Sequence, residues 1–253
     1  MNAFQKAPER CRLDELLVRR GDFATRSRAR GAVERGTVRV DGRPVTKPGQ
    51  SVSEGAVIEI DDPARDYVSR AALKLLSGLD HFNLDPSGRQ ALDIGASTGG
   101  FTQVLLERGA QHVVAVDVGH GQLAPSVATD PRVTSLERLN ARDLTLEQLG
   151  TAPDFLVSDV SFISLKIALP SALEIAAAGT QGVFLVKPQF EAGRQAIGKG
   201  GLLRDPDDAP RVAENLRLWL DNYPGWRALG LCPSPIDGGD GNREFLLAGV
   251  KDR

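Results

Sequence analysis

Ala91-Leu-Asp-Ile-Gly-Ala-Ser-Thr-Gly-Gly-Phe-Thr102 is the stretch that decides the fold. Residues 91–94 form a short, mostly apolar run, which reads as a buried strand with Asp93 near its end. Gly95, Gly99 and Gly100 let the backbone turn sharply and approach a ligand closely. From Phe101 to Arg108 the spacing is helical. Ligands of open α/β sheets bind at such strand ends. A dinucleotide turn needs G-x-G-x-x-G. Here Ala96 and Ser97 follow Gly95, so the second glycine is missing and the pattern is Asp93-x-Gly95-x-x-x-Gly99-Gly100. Asp117 closes the next apolar run, His112-Val-Val-Ala-Val-Asp117. An acid at the end of a second strand suits hydrogen bonds to ribose hydroxyls.

Turn and acid, in strand–helix–strand order, resemble the S-adenosylmethionine site of Rossmann-like methyltransferases. The resemblance implies cofactor contacts from Asp93, Gly95, Ala96, Ser97, Thr98, Gly99, Gly100 and Phe101 along the turn. It adds Asp117, and Asn140 or Asp143 in Arg138-Leu-Asn-Ala-Arg-Asp143. The plainer alternative is an ordinary strand–helix turn with Asp93 as an acid at a helix N-terminus.

The rest of residues 67–253 alternates in the same way. A helix is expected over Tyr67–Ser77 with Lys74 in its middle, where a lysine by default faces solvent. Strands are expected at 132–136, 154–159 and 182–188, with Leu165–Ala178 helical and kinked at Pro170. Ala209–Leu220 is helical. Trp226–Cys232 and Glu244–Val250 follow as strands with no clear helix between them, joined through Asp237-Gly-Gly-Asp-Gly241. Alternation implies a mostly parallel sheet, and the two last strands an antiparallel edge hairpin. The expected fold is therefore α/β, the Rossmann-like seven-stranded methyltransferase sheet. Gly193-Arg-Gln-Ala-Ile-Gly-Lys199 imitates a P-loop, but Gly200 stands where Ser or Thr should hold magnesium. It reads instead as a flexible basic loop beside the site.

The net charge of −2 conceals an asymmetry. Residues 9–47 hold 11 Lys and Arg against 6 Asp and Glu, so a basic segment precedes an acidic body. Within residues 10–61 a helix is expected over 12–20 and a second, capped by Thr25 or Ser27, as far as Gly36. A hairpin turns at Asp41-Gly42, and a last short strand covers Val57–Ile60. Arg12-Leu-Asp14, Ser27-Arg28-Ala29, Gly36-x-Val38-x-Val40-x-Gly42, Lys47-Pro48 and Glu54-Gly55 resemble the alpha-L RNA-binding motif, a small α+β module. Arg12, Arg26, Arg28, Arg30, Arg35, Arg39 and Arg43 then become candidate phosphate contacts, because guanidinium forks match phosphate geometry. Any one of them alone could equally be a solvated surface charge. Stacking aromatics are absent, which favours folded RNA over loose single strands. Residues 62–66 read as a polar linker.

Asp93, Asp159 and Lys187 stand at or near the carboxyl ends of expected strands. Lys187 follows Val183-Phe-Leu-Val186, where burial is expected, so it is hard to explain as structure. A lysine there acidifies a hydroxyl by its charge, or takes the proton once neutral. Lys74 in Ser69-Arg-Ala-Ala-Leu-Lys74, Asp159 in Ser158-Asp-Val-Ser161, Lys187 in Val186-Lys-Pro188 and Glu244 in Asn242-Arg-Glu-Phe245 resemble the Lys-Asp-Lys-Glu set of FtsJ-like RNA ribose 2′-O-methyltransferases. With the N-terminal module attached, residues 10–250 resemble the TlyA family. That resemblance implies methyl transfer from S-adenosylmethionine to the 2′-oxygen of a cytidine in ribosomal RNA or ribosomal subunits. Lys187 would activate the hydroxyl, with Lys74, Asp159 and Glu244 positioning it and tuning charge. A non-catalytic RNA-binding assembly factor is the alternative, and a haemolysin a more distant one.

Cys11 and Cys232 lack redox or metal spacing, and neither they nor the three histidines suggest a metal site, so no obligate metal is expected. Residues 1–9 show no signal pattern and no stretch is long enough to span a bilayer, so the expected location is cytoplasmic, away from membranes.

Overall fold

The computed structural model describes residues 9–239 and 241–252. The stretch read for a targeting signal lies, apart from Glu9, outside them, as does Asp240 of the last glycine-rich loop. The chain divides into two compact units, with the boundary between Asp66 and Tyr67.

In the first unit, β1 (Arg10–Arg12) leads into α1 (Leu13–Arg19), and α2 (Arg26–Glu34) follows. Thr25 caps α2 by accepting from the Arg28 N–H. The expected hairpin is β2 (Val38–Val40) against β3 (Arg43–Pro44), turning at Asp41, which adopts a left-handed φ of 50°. β5 (Ile58–Ile60) pairs on the other side of β2, while β4 (Ser51–Ser53) pairs with β1. Leu13, Leu16, Leu17, Ala29, Val33 and Val38 form the core. Residues 62–66, expected to be a linker, are packed onto this unit. Ala64 is buried, Asp62 pairs with Arg35, and the Arg28 guanidinium donates to the Arg65 carbonyl at 2.6 Å.

The second unit opens with α3 (Ala72–Phe82), displaced from the expected 67–77. Gly78 does not end this helix. A Cβ there would lie 2.9 Å from Val183, so glycine serves close packing against the sheet. The left-handed cap is Asn83 instead. The sheet then builds from β6 (Gln90–Ile94), β7 (His112–Asp117), β8 (Val133–Glu137), β9 (Phe155–Ser158), β10 (Gln181–Val186), β11 (Trp226–Pro233) and β12 (Phe245–Lys251). Its order is β11-β12-β10-β9-β6-β7-β8. β12 runs antiparallel to both neighbours, and every other pairing is parallel. The apolar runs of β6, β9 and β10 are buried on both faces, as central parallel strands require. One face packs on α3, α4 (Gly100–Glu107) and α5 (Pro125–Ala128). The other packs on α6 (Leu146–Leu149), α7 (Leu165–Ala168), α8 (Pro170–Ile175) and α10 (Ala209–Asp221). The predicted interruption at Pro170 is the joint between α7 and α8.

Candidate active site

The order reverses between β6 and β9, and a cavity of about 510 Å³ opens beyond the carboxyl ends there. This is where open α/β sheets take ligands, and the volume suits a small-molecule site. Five of the sequence-predicted residues line it: Gly95, Ser97, Asp117, Asn140 and Asp159. Its walls are apolar, with Val116, Val118, Leu139, Val160 and Ile163. Phe162 also lines it and is 90% exposed, at a left-handed φ of 64°. Sequence reading missed Phe162; an apolar side chain in a polar loop after a strand-end acid is a weak signal.

The turn itself is built by crowding. Gly95 has φ 84°, and a Cβ there would sit 2.9 Å from the Asp159 carbonyl. Its close approach is thus to the next strand's backbone. Gly99 does not line this cavity, and its missing Cβ faces Leu123 at 2.8 Å. Ala96, Thr98, Gly100 and Phe101 line a smaller recess of about 80 Å³ that shares Gly95, Ser97 and Asp159. Asp117 fixes the turn, since its carboxylate accepts from the Ser97 N–H at 2.8 Å and the Gly119 N–H at 2.7 Å. Of the two adenine-side candidates, Asn140 reaches the cavity. Asp143 is exposed on the 3₁₀ turn that Asn140 caps and does not line the cavity.

Asp93 does not line the cavity either. It lies fully buried beneath the turn and accepts from the Thr102 hydroxyl at 2.6 Å. Burial pushes its carboxyl up to about 7; the Thr102 bond opposes the rise and the charge of Asp159 adds to it. Its second oxygen has no partner among the described residues.

The four residues of the Lys-Asp-Lys-Glu set form two pairs. Lys187 follows β10 and occupies the position before α9 (Pro188–Glu191). Its Nζ lies 2.6 Å from Asp159 Oδ1 and donates to Ser161 Oγ at 2.8 Å. The contact with Asp159 is an ion pair rather than an aligned hydrogen bond. Lys74, solvent-facing by default but a site residue by the resemblance, is buried on α3 and pairs with Glu244. Side-chain exposures are 7% and 3% in this pair and 12% and 18% in the other. Val186 and Phe245 are the last partners of β10 and β12, so Lys187 and Glu244 stand one residue beyond them on adjacent strands.

Most of the predicted arginines of the first unit have internal partners. Arg12 and Arg26 both bind the buried Asp14, at 3.0 and 2.9 Å. Arg35 is largely buried and forks onto Asp62, which makes it a structural cation rather than a phosphate contact. Arg30 pairs with Glu34 at 3.7 Å, and Arg28 holds the 64–65 backbone. Arg39 and Arg43 are exposed and have no carboxylate partner among the described residues.

A family profile described as FtsJ-like methyltransferase matches residues 67–251, and one described as S4 domain matches residues 11–58. The 16S/23S rRNA (cytidine-2′-O)-methyltransferase TlyA of Mycobacterium tuberculosis is 46% identical over 239 residues, 94% of this chain and 89% of that protein. The chain belongs to the TlyA branch of the FtsJ-like methyltransferases. Hemolysin A of Brachyspira hyodysenteriae is 38% identical, covering 93% of this chain and 98% of its own. A solved structure from Streptococcus thermophilus, provisionally labelled a hemolysin, superposes with a TM-score of 0.74 at 41% identity, over 97% of this chain and 90% of that one. Among the described residues of this methyltransferase, no helix is long and apolar enough to cross a membrane.

Proposed function

We propose that this methyltransferase transfers a methyl group from S-adenosylmethionine to a ribose 2′-hydroxyl of ribosomal RNA, at a cytidine. The observation that carries the reading is the Lys187–Asp159 pair, whose acid lines the strand-end cavity while its lysine stands beside the β12 end bearing Glu244. The relative from M. tuberculosis bears the corresponding name, which supplies the substrate class.

The cavity fits an adenosyl group in chemistry as well as size. It has apolar walls for a purine, Asp117 for ribose hydroxyls and Asn140 for the base edge. Gly95, Ser97 and the recess residues Ala96, Thr98, Gly100 and Phe101 would hold the remainder. S-adenosylmethionine supplies, when bound, an electrophilic methyl on a sulfonium.

The protein's own groups then act on the acceptor. Transfer forms a carbon–oxygen bond at the ribose 2′-oxygen, breaks the methyl carbon–sulfur bond and releases the hydroxyl proton. The Lys187 ammonium, placed by Asp159 and Ser161, favours the hydroxyl's loss of that proton. Asp159 also puts a negative charge at the cavity wall. The Lys74–Glu244 pair fixes the neighbouring strand end from beneath. In-line displacement gains most from alignment, and rigid strand ends provide it.

The test is incubation of unmethylated ribosomal subunits with labelled S-adenosylmethionine, followed by mapping of the modified ribose. Label at a cytidine 2′-oxygen is expected. No label in either subunit would overturn the reading.

A further inference from the structure

The basic loop that imitates a P-loop is not part of the cavity, and its construction indicates a separate use. Residues 193–204 form a closed hairpin. Ile197 and Leu203 make an antiparallel bridge, the Gly198 N–H donates to Leu202 O at 2.8 Å, and the Arg204 N–H donates to Ala196 O at 2.9 Å. A buried asparagine pins the hairpin to the sheet. Asn242 accepts from the Leu203 N–H at 3.4 Å and donates to Gly201 O at 3.2 Å. Asn242 is two residues from Glu244, and the segment alternates: Asn242 and Glu244 are buried, while Arg243 between them is exposed. The hairpin is therefore fixed at the carboxyl edge of the sheet, where β12 begins.

Its outward charged side chains are all cationic. Arg194, Lys199 and Arg204 are exposed, as is Arg243. None of the four has a carboxylate partner among the described residues, in contrast to the paired arginines at the other edge of the sheet. Lys199 leads into Gly200 and Gly201, both at positive φ and with open space where a Cβ would stand. Such a tip lets a bulky anion approach the backbone closely. Among the acids that follow, Asp205 accepts from the Asp207 N–H and Asp208 pairs with Arg211.

We propose that the Gly193–Arg204 hairpin, with Arg243, is a docking site for the RNA phosphate backbone within the catalytic unit, held beside Glu244 by Asn242. The ribose methylation proposed above supplies the identity of the polyanion, since RNA must lie at this sheet edge for its 2′-hydroxyl to meet Lys187. Phosphate contacts fix register rather than read sequence. The hairpin would thus orient the strand whose ribose enters the site, a task separate from the affinity supplied by the S4 domain.

The test compares the full-length protein with an Arg194→Ala/Lys199→Ala/Arg204→Ala variant, which alters exposed side chains and also removes the bond from Arg204 Nε to Ile197 O at 3.2 Å, and with Arg194→Ala/Lys199→Ala, which keeps that bond. A matched control, Arg89→Ala/Arg108→Ala/Arg227→Ala, removes three arginines that are paired with Asp154, Asp80 and Asp252 at the opposite edge. Binding of a ribosomal RNA fragment is measured against salt, together with steady-state methylation and S-adenosylmethionine affinity. The triple hairpin variant should bind RNA about tenfold more weakly at moderate salt, and its log–log salt slope should be shallower by about 2. KM for RNA should rise while S-adenosylmethionine affinity stays unchanged, and the control should match the parent. A hairpin variant with the parent's RNA affinity and salt slope overturns the proposal, even where methylation is intact. If the parent binds RNA but methylates none, and the hairpin variant still loses affinity, the docking site stands and the reaction assignment falls. A parent that binds no RNA defeats both.

Discussion

The two lysine–carboxylate pairs look alike in sequence and differ in the fold. Lys74 and Glu244 are sealed between a helix and a strand end, whereas Lys187 pairs with an acid, Asp159, that lines a cavity a ligand can fill. A sealed ion pair is sensitive to loss of either partner, because the survivor is a desolvated lone charge. A pair beside a cavity can give up part of its interaction to an incoming group. One pair is therefore built to fix the site's frame, and the other is the one that, in the proposed reaction, acts on substrate. The largest expected effect follows from this division. Lys187→Ala should lower the methylation rate by about 10²–10⁴-fold while leaving S-adenosylmethionine affinity and the melting temperature nearly unchanged. Methylation at the parent rate would break the distinction at its functional end.

Stability tests its structural end. Glu244→Ala leaves the Lys74 ammonium buried and should cost about 3–5 kcal/mol in denaturant unfolding. Asp159→Ala should cost clearly less, since its partner is nearer to solvent. A Lys74→Met/Glu244→Leu double variant should recover much of the stability but not the methylation, because the pair then no longer fixes the strand end electrostatically. Equal losses for Glu244→Ala and Asp159→Ala would show that the two pairs are alike after all. The first unit offers an independent repeat: Arg35→Ala strands the buried Asp62 and should destabilise that unit in the same manner.

Asp93 sharpens the comparison by showing what a buried acid does without a cation. Its folded pKa is raised from 3.8 to about 7. The folded state then holds the proton more tightly than the unfolded chain. This contribution to stability is fully present below about pH 3.8 and is lost as the pH rises through about 7. Asp93→Asn keeps an acceptor for Thr102 and removes the titration. Relative to the variant, the parent should lose stability between about pH 4 and pH 7, read as the difference between two urea-unfolding series. Parallel pH profiles would show that Asp93 is not held in this way.

Legibility in the sequence followed locality. The strand–turn–helix at 91–108 and the hairpin at Asp41-Gly42 were readable because each is set by neighbours in the chain. The expected helix stops at Ser77, but the helix runs from Ala72 to Phe82, and the absent Cβ of Gly78 within it serves contact with Val183, far away in sequence. Taken alone, Lys74 reads as a solvent-facing lysine, because its partner Glu244 lies 170 residues on; only the resemblance sets the two together. Asp93 and Gly99 belong to the turn, but sequence could not tell which side of it each would face. Arg35 reads like its neighbours in a basic run, and only the fold brings Asp62 against it.

The smallest effect concerns the arginines that remain open. Arg39 on β2 and Arg43 on β3 occupy one exposed hairpin, with Arg39 opposite Glu59 of β5 in the sheet register. Neither replaces desolvation by pairing, so an Arg39→Ala/Arg43→Ala variant should change stability by no more than about 0.5 kcal/mol. Its effect should appear in binding. If both contact phosphate, the log–log salt slope for ribosomal RNA should become shallower by about 1.5, with S-adenosylmethionine affinity unaltered. Arg12 and Arg26 share Asp14, so part of their charge is already neutralised, and replacing either should change the slope less. A larger slope change from Arg12→Ala/Arg26→Ala than from Arg39→Ala/Arg43→Ala would mean that RNA draws these arginines away from Asp14. The pairing in the first unit would then be a resting arrangement that substrate opens, as proposed for Lys187 and not for Lys74.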